Sequence, residues 1–436
     1  MKVWNPRTRF AAGPWRKDPM IPKISRFPFF GKRFFKRVRK LIGSCHYSHF
    51  WRLVILIASD SERCSLKRCQ EVSGKHRTRQ AISFFLTRAD WDAPEVLRQK
   101  ALDTLRDLGW RAGESVYLIL DDTQKRKRAK RMDAVSKLFL HAEKVYATGH
   151  TIVGCALLYR GVVIPYAVRL WANEDFCARS ARRGDEEPVE FQKITAIAAQ
   201  MVEELSLPGN PGVIVLFDAY YLCSAVVRAC ETRKFGYVGV AKRNRNFFPD
   251  GRDRDKRKVG RYGANVLAKD GRLITVQGKK HRLAQRVGRL SKLGRVKLVF
   301  SRRPSERGWI AMATNRLRWG VKTVLTHYLK RWGIEVFWKM SKQYLGLGDY
   351  QVLRYRAVER YLHLVLIAHL LLTHLAVTTP DAKAQLKDKH KDLPLPSVPQ
   401  LQQETRALLL KDVIQSMERG SHQRKTVRKL KDVLQF

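Results

Sequence analysis

Residues 116–122 read VYLILDD, a short apolar run that closes on two adjacent carboxylates, Asp121 and Asp122. Runs of this length and composition form strands buried on both faces, and a charged side chain at the end of such a strand belongs at the rim of the sheet. A second run, VIVLFD at 213–218, closes on Asp218 in the same way. In open α/β sheets, ligands bind at the strand ends. Two strand-end carboxylate positions, far apart in sequence, therefore predict a site at a sheet rim.

The partner of that rim is expected in residues 326–347, THYLKRWGIEVFWKMSKQYLGL. Read as one helix at ~100° per residue, Tyr328, Arg331, Glu335 and Lys342 share a sector of roughly 60°, with Lys339 ~20° from Tyr328. Leu329, Val336, Phe337 and Met340 occupy a neighbouring sector and are expected to pack inward. Taken alone, Arg331, Glu335 and Lys339 fit an ordinary salt-bridged helix surface. A carboxylate among cations and an aromatic hydroxyl also suits a metal held together with phosphate. Strand-end aspartates and a helical glutamate can converge on a pair of Mg²⁺ ions about 4 Å apart, polarising a phosphate and activating water or a 3′-hydroxyl.

This order and spacing resemble the DDE transposases of bacterial insertion sequences, in particular the group with a Tyr-x2-Arg-x3-Glu-x6-Lys signature, reproduced by Tyr328, Arg331, Glu335 and Lys342. The continuation LGLGDYQVLRYRAVERYLHLVLIAHLLL, 345–372, resembles the last core segment of that family. The resemblance implies an α/β protein with a ribonuclease H-like core, a mixed sheet flanked by helices, and two Mg²⁺ (or Mn²⁺) ions held by Asp122, Asp218 and Glu335. The family's aspartate usually precedes a threonine, as Asp122 precedes Thr123; adjacent strand residues face opposite ways, so Asp121 is the alternate. Tyr328, Arg331 and Lys342 are implied phosphate contacts, and Lys339, Lys242 and Arg243 are further candidates for DNA binding. The implied activity is cut-and-paste transposition: binding of terminal inverted repeats by a homodimer, strand cleavage, and transfer to target DNA. A non-cutting DNA-binding derivative and a metal-dependent nuclease without strand transfer are the alternatives.

The charge agrees with a polyanionic partner. Among 436 residues, 86 Lys and Arg stand against 39 Asp and Glu, a net charge of +47. Such an excess opposes compaction unless a polyanion neutralises it, and binding to nucleic acid is driven by counterion release. The apolar stretches near residues 53 and 362 read as core helices and not as membrane spans, and neither sits in a signal-peptide arrangement. A cytoplasmic, nucleoid-associated protein is expected. The cysteines show no paired Cys-x2-Cys knuckle and no disulfide framework, and the chain has no G-x-S-x-G, H-E-x-x-H or P-loop motif.

Along the chain, residues 1–43 form a basic, aromatic arm in which Phe27, Phe29, Phe30, Phe34 and Phe35 alternate with cations, either meeting DNA or solvated. Residues 44–110 are expected to be a helical DNA-binding region, with a helix capped by Asp92 and stopped at Gly109. A β-β-β-α-β-α-β core is expected over 111–243, with the cation run QKRKRAKR lying along DNA or solvated. A β-rich insertion is expected over 244–320, where Trp309 and Trp319 are candidates for stacking on a base. The core resumes over 321–378, and a basic tail follows over 379–436.

Overall fold

The computed structural model describes residues 27–60, 66–73, 78–128, 131–140, 143–183, 188–249, 253–388 and 391–419. Its strands are β1 (Val116–Arg126), β2 (Ser136–Leu140), β3 (Val145–Tyr159), β4 (Val162–Leu170), β5 (Val213–Phe217), β6 (Gly236–Val240), β7 (Asn246–Phe248), β8 (Arg257–Lys258), β9 (Arg272–Val276), β10 (Lys279–Leu290), β11 (Gly294–Arg302) and β12 (Ile310–Thr314). All join one mixed sheet in the order β2-β3-β1-β5-β6-β12-β11-β10-β7-β8, with β4 paired to β3 and β9 to β10. The apolar run of β1 is buried because it is central: β3 lies antiparallel on one side and β5 parallel on the other. Chain reversal between β3 and β4 uses Arg160 and Gly161, both at positive φ (51° and 78°), the two-residue turn that suits strand twist.

The principal helices are α1 (Ser44–Ser59), α2 (Arg79–Thr87), α3 (Ala93–Asp107), α4 (Ile194–Glu203), α5 (Ser224–Thr232), α6 (Val321–Leu329), α7 (Trp332–Tyr344), α8 (Tyr355–Val377) and α9 (Val398–Arg419). Asp92 caps α3, accepting from the Glu95 N–H at 2.8 Å, and Gly109 follows its end at φ +78°, as expected. α8 is long and apolar enough to cross a membrane, but 89% of its apolar window is buried inside the protein. It packs against α1, α3 and β4, so it joins the N-terminal helices to the sheet through one hydrophobic core.

Several expectations are corrected by packing. Phe34 and Phe35 of the basic arm are neither presented to a partner nor solvated: they are buried, and Phe27 meets the rings of Phe35 and Trp51 at 5.7 and 5.1 Å. The arm's cations serve the same joint, with Arg37 on Asp103 at 2.6 Å and Arg33 on Asp107 at 3.2 Å; residues 1–26 lie outside the described residues. The cation run after Asp122 begins as a continuation of β1, through Arg126. Lys125 pairs with Asp349 at 2.8 Å, while Lys127 is buried, donates to the carbonyls of Gly348 and Tyr350, and stands 3.4 Å from the Tyr350 ring. These contacts pin the turn after α7. Gly348 is required there: its φ is +86° and a Cβ would lie 2.4 Å from the Lys125 side chain.

The β-rich stretch over 244–320 is continuous with the core sheet, because β12 pairs with β6. Past residue 379, α9 packs on α1, α7 and α8. Gln402 on α9 donates to the carbonyls of Asp60 and Tyr344 at 3.1 and 3.0 Å. Residues 420–436 lie outside the described residues.

Arg360, buried on α8, donates to the carbonyls of Phe85 and Leu86 at 3.3 Å, and also to Ala89 and Trp91, closing the turn between α2 and α3. Its removal strands several buried acceptors. Arg360→Leu is expected to lose about 3 kcal/mol of stability, read as a lower urea midpoint with an unchanged denaturant slope.

Candidate active site

The site begins with the register of two strands. Ile119 of β1 lies opposite Leu216 of β5 in the parallel ladder, and continuing that register by two residues brings Asp121 opposite Asp218. Register partners share a face of the sheet. Across the antiparallel ladder Asp121 pairs with Gly154, and a Cβ on Gly154 would lie 2.9 Å from the Trp338 ring of α7. The missing side chain lets α7 lie close over β1, on the face to which Asp121 points. Glu335 stands in the first turn of that helix.

The electrostatics report the same gathering. Burial pushes the Asp121 carboxyl up to about 7; Arg331 opposes the rise, and Asp122, Asp218 and Glu335 add to it. Arg331 is ion-paired with Glu335, and its guanidinium carbon lies 5.8 Å from the Tyr328 ring. Burial also raises the Tyr328 hydroxyl, with Arg331 opposing and Asp218 and Glu335 assisting. Lys342 donates to the Gln124 carbonyl at 2.8 Å; burial and the nearby Lys125 lower its ammonium to about 8, while Asp121 and Asp122 pull the other way.

Asp122, expected from the Asp-Thr dipeptide as the first carboxylate, stands next to Asp121 in β1. Alternation along β1 turns it to the opposite face from Asp121, where Oδ1 accepts from the Tyr221 hydroxyl at 2.8 Å. The single helix expected over Tyr328–Lys342 is two helices, α6 and α7. They meet at Lys330 and Arg331, where Arg331 N–H reaches Tyr328 O at 3.0 Å and Ile334 N–H reaches Arg331 O at 3.2 Å. These i→i+3 bonds tighten the joint without reversing it. Val336, expected to pack inward, is 40% exposed, whereas Ile334, Phe337 and Trp338 are buried. Lys339 is exposed.

Lys242 is also exposed, its Nζ 5.9 Å from the Tyr220 ring. Arg243 is occupied structurally, donating to the Trp309 carbonyl at 2.8 Å and covering its ring at 4.6 Å. Trp309 meets Phe300 at 5.8 Å and Trp319 meets His327 at 4.7 Å, so both indoles are engaged in packing.

Two groups escaped the sequence reading. Tyr117, two turns of the pleat before Asp121, bonds His327 at 2.8 Å and ties α6 to β1. Tyr220 and Tyr221 form the turn after β5, both donating backbone N–H to Asp218 Oδ1, at 2.8 and 3.3 Å. The only sequence signal for the turn was the aromatic pair itself.

The donor set consists of carboxylate oxygens, the ligands of hard divalent cations; burial is the main cause that lifts Asp121, and the neighbouring carboxylates that add to the rise carry charge such a cation would neutralise. Among the described residues, no three His, Cys, Asp or Glu side chains are gathered as a metal site in their present rotamers. Glu335 is paired with Arg331 and Asp122 is bonded to Tyr221. The residues fit a divalent cation in kind, and Glu335 has to turn from Arg331 to join the strand carboxylates.

The family model of the DDE superfamily endonuclease matches residues 53–296, more than half of the chain, and the chain belongs to that family. Its large mixed sheet flanked by helices fits the ribonuclease H-like fold of DDE enzymes. No curated protein matches the chain. The family makes it a transposase-like nuclease with DNA as substrate. The matched span includes Asp121, Asp122, Asp218, Lys242 and Arg243 and ends before the helices bearing Tyr328, Arg331, Glu335, Lys339 and Lys342.

The raised Asp121 sets a pH dependence. In the unfolded chain the group ionises near ~4, so between that pH and about 7 the folded protein keeps a proton that the unfolded chain has released. Stability therefore falls as pH rises through that window. In EDTA, Asp121→Asn is expected to be more stable than the unaltered protein at pH 8, by on the order of 4 kcal/mol, with the difference vanishing by pH 4. Thermal melts across that range check both the sign and the window.

Proposed function

We propose that the chain is a cut-and-paste DNA transposase of the insertion-sequence group with the Tyr-x2-Arg-x3-Glu-x6-Lys signature. It binds the terminal inverted repeats of its own element as a homodimer in the cytoplasm, cleaves there, and joins the 3′-hydroxyls to target DNA. The observation that carries this reading is the β1–β5 register, which sets Asp121 opposite Asp218 on the face covered by the helix of Glu335.

Asp121, Asp218 and Glu335 are the proposed holders of two Mg²⁺ or Mn²⁺ ions. Such ions, when bound, polarise the scissile phosphate and supply a nucleophilic oxygen at neutral pH. The chain's own cations do the positioning. Arg331, at the joint of α6 and α7, offers a fork of donors that matches a phosphate and exchanges Glu335 for the DNA backbone. Lys342 holds the far side of the same phosphate run, and Tyr328 orients the Arg331 fork against its ring. Lys339 and Lys242, both exposed, extend the phosphate track, whereas Arg243 is held by Trp309.

The test uses labelled linear DNA carrying the ends of the element that encodes the chain, with and without Mg²⁺. Asp121→Asn, Asp218→Asn and Glu335→Gln are each expected to lower boundary cleavage on the order of a thousandfold, and Asp122→Asn about tenfold or less, since Asp122 is bonded to the Tyr221 hydroxyl on the other face of β1. Cleavage that survives Asp218→Asn sinks the proposal. An inactive Asp122→Asn beside an active Asp121→Asn reassigns the first carboxylate. Cut ends that are never joined point to a nuclease without strand transfer, and salt-sensitive binding without cutting points to a non-cutting DNA-binding protein.

A further inference from the structure

The two helices of the candidate site rest on different parts of the sheet. α6 packs on β6, β11 and β12, whereas α7 packs on β1 and β4. Arg331 stands at the joint between them, so its direction depends on how the last turn of α6 is held relative to β1. A hydrogen bond spans that gap: the Tyr117 hydroxyl on β1 meets Nδ1 of His327, in the last turn of α6, at 2.8 Å. Tyr117 and Asp121 are four residues apart on one strand, so they share a face, about 13 Å apart along it.

The bond is held at both ends. Trp319, at the entry to α6, covers His327 with ring centroids 4.7 Å apart, and its carbonyl accepts from Lys297 of β11 at 2.7 Å. The Lys330 ammonium lies 5.6 Å from the Tyr117 ring. Burial pushes the Tyr117 hydroxyl up to about 12, with Asp392 adding to the rise, while burial and Lys330 lower the His327 imidazole. Near pH 7 the pair is therefore a hydroxyl against a neutral ring. The backbone carries the anchor onward: the His327 carbonyl accepts the Lys330 N–H at 3.1 Å, and the Tyr328 carbonyl accepts the Arg331 N–H at 3.0 Å. A side chain fixed at His327 thus sets the turn from which the Arg331 guanidinium projects.

We infer that Tyr117, acting through His327, is a positioning residue that directs Arg331 toward the phosphate that is cut. The inference rests on the functional reading above and deepens it. In a chain of net charge +47, many cations share the hold on a duplex, so misdirecting one guanidinium changes affinity little. A guanidinium directed at the reacting phosphate acts on the rate, where a small misplacement is costly.

The experiment reads single-turnover cleavage of labelled element-end DNA at saturating protein with Mg²⁺, beside DNA affinity in EDTA. Tyr117→Phe keeps the ring beside Lys330, and His327→Phe keeps a ring against Trp319; each removes the bond. Both are expected to slow cleavage about tenfold with affinity held within about twofold, and the double variant is expected to be no slower than either. His327→Asn, whose amide can restore a partner near Nδ1, is expected to stay within about threefold of the unaltered rate. In an Arg331→Lys background, where the fork is already lost, Tyr117→Phe is expected to have no further effect. An unchanged rate, a loss confined to affinity, additive single losses, or a full-sized loss in the Arg331→Lys background each overturns the inference. Should Tyr117→Phe melt early, the contrast between His327→Asn and His327→Phe decides it in the same way. Absence of cleavage by the unaltered protein brings down the functional reading, and this inference with it.

Discussion

Like charges that gather at a half-buried sheet rim repel one another, and much of this fold is arranged around that constraint. Asp121 and Asp218 are brought together by a parallel register that their own repulsion disfavours, and the hydrophobic contacts of β1 and β5 enforce it. The surroundings then compensate unevenly. Arg331 answers Glu335, Lys342 stands near Asp121 and Asp122, and the Tyr221 hydroxyl serves Asp122. What remains is a carboxyl that burial holds up to about 7, in a chain that belongs to a family of DNA-cutting enzymes. Perturbed groups of this kind concentrate where stability has been given up for function.

The excess of positive charge is distributed in two ways. Part of it is spent inside the molecule, where Lys127 caps the carbonyls after α7, Arg360 closes the turn between α2 and α3, and Arg160 binds the carbonyls of Leu386 and Lys391 at 3.0 and 3.2 Å. Long cationic side chains suit this work, since their stems pack as apolar groups while their heads satisfy several buried acceptors. Other cations, Lys339 and Lys242 among them, are exposed. Net charge therefore states that a polyanion is met, without saying which cations meet it.

The legible part of the chain was the part governed by local pattern. The strand ending at Asp218, the hairpin at Arg160-Gly161 and the helix capped by Asp92 follow from runs of apolar residues and from turn chemistry that neighbours in sequence decide, whereas the expected core order lacked the strand Ser136–Leu140 and the helix Glu174–Arg182. The signature spacing from Tyr328 to Lys342 likewise put one carboxylate among cations on a single face. Phe34, Lys127 and Gln402 were misread or missed because each is decided by a partner more than 50 residues away: Lys100 on the Phe34 carbonyl, the Gly348 carbonyl for Lys127 and the Tyr344 carbonyl for Gln402.

The choice between Asp121 and Asp122 separates the two kinds of information most clearly. Sequence by itself determined that two carboxylates end the strand and that adjacent side chains part to opposite faces; the family resemblance added the expectation that a helical glutamate joins one of them. The sequence contained nothing that says which face the helix covers. That was decided by tertiary packing: Gly154, with no Cβ, admits Trp338 and so seats α7 over the face of Asp121, while the turn carrying Tyr221 closes over the face of Asp122. Alternation is a property of one strand, whereas the face that becomes a site belongs to whichever element has room to pack upon it.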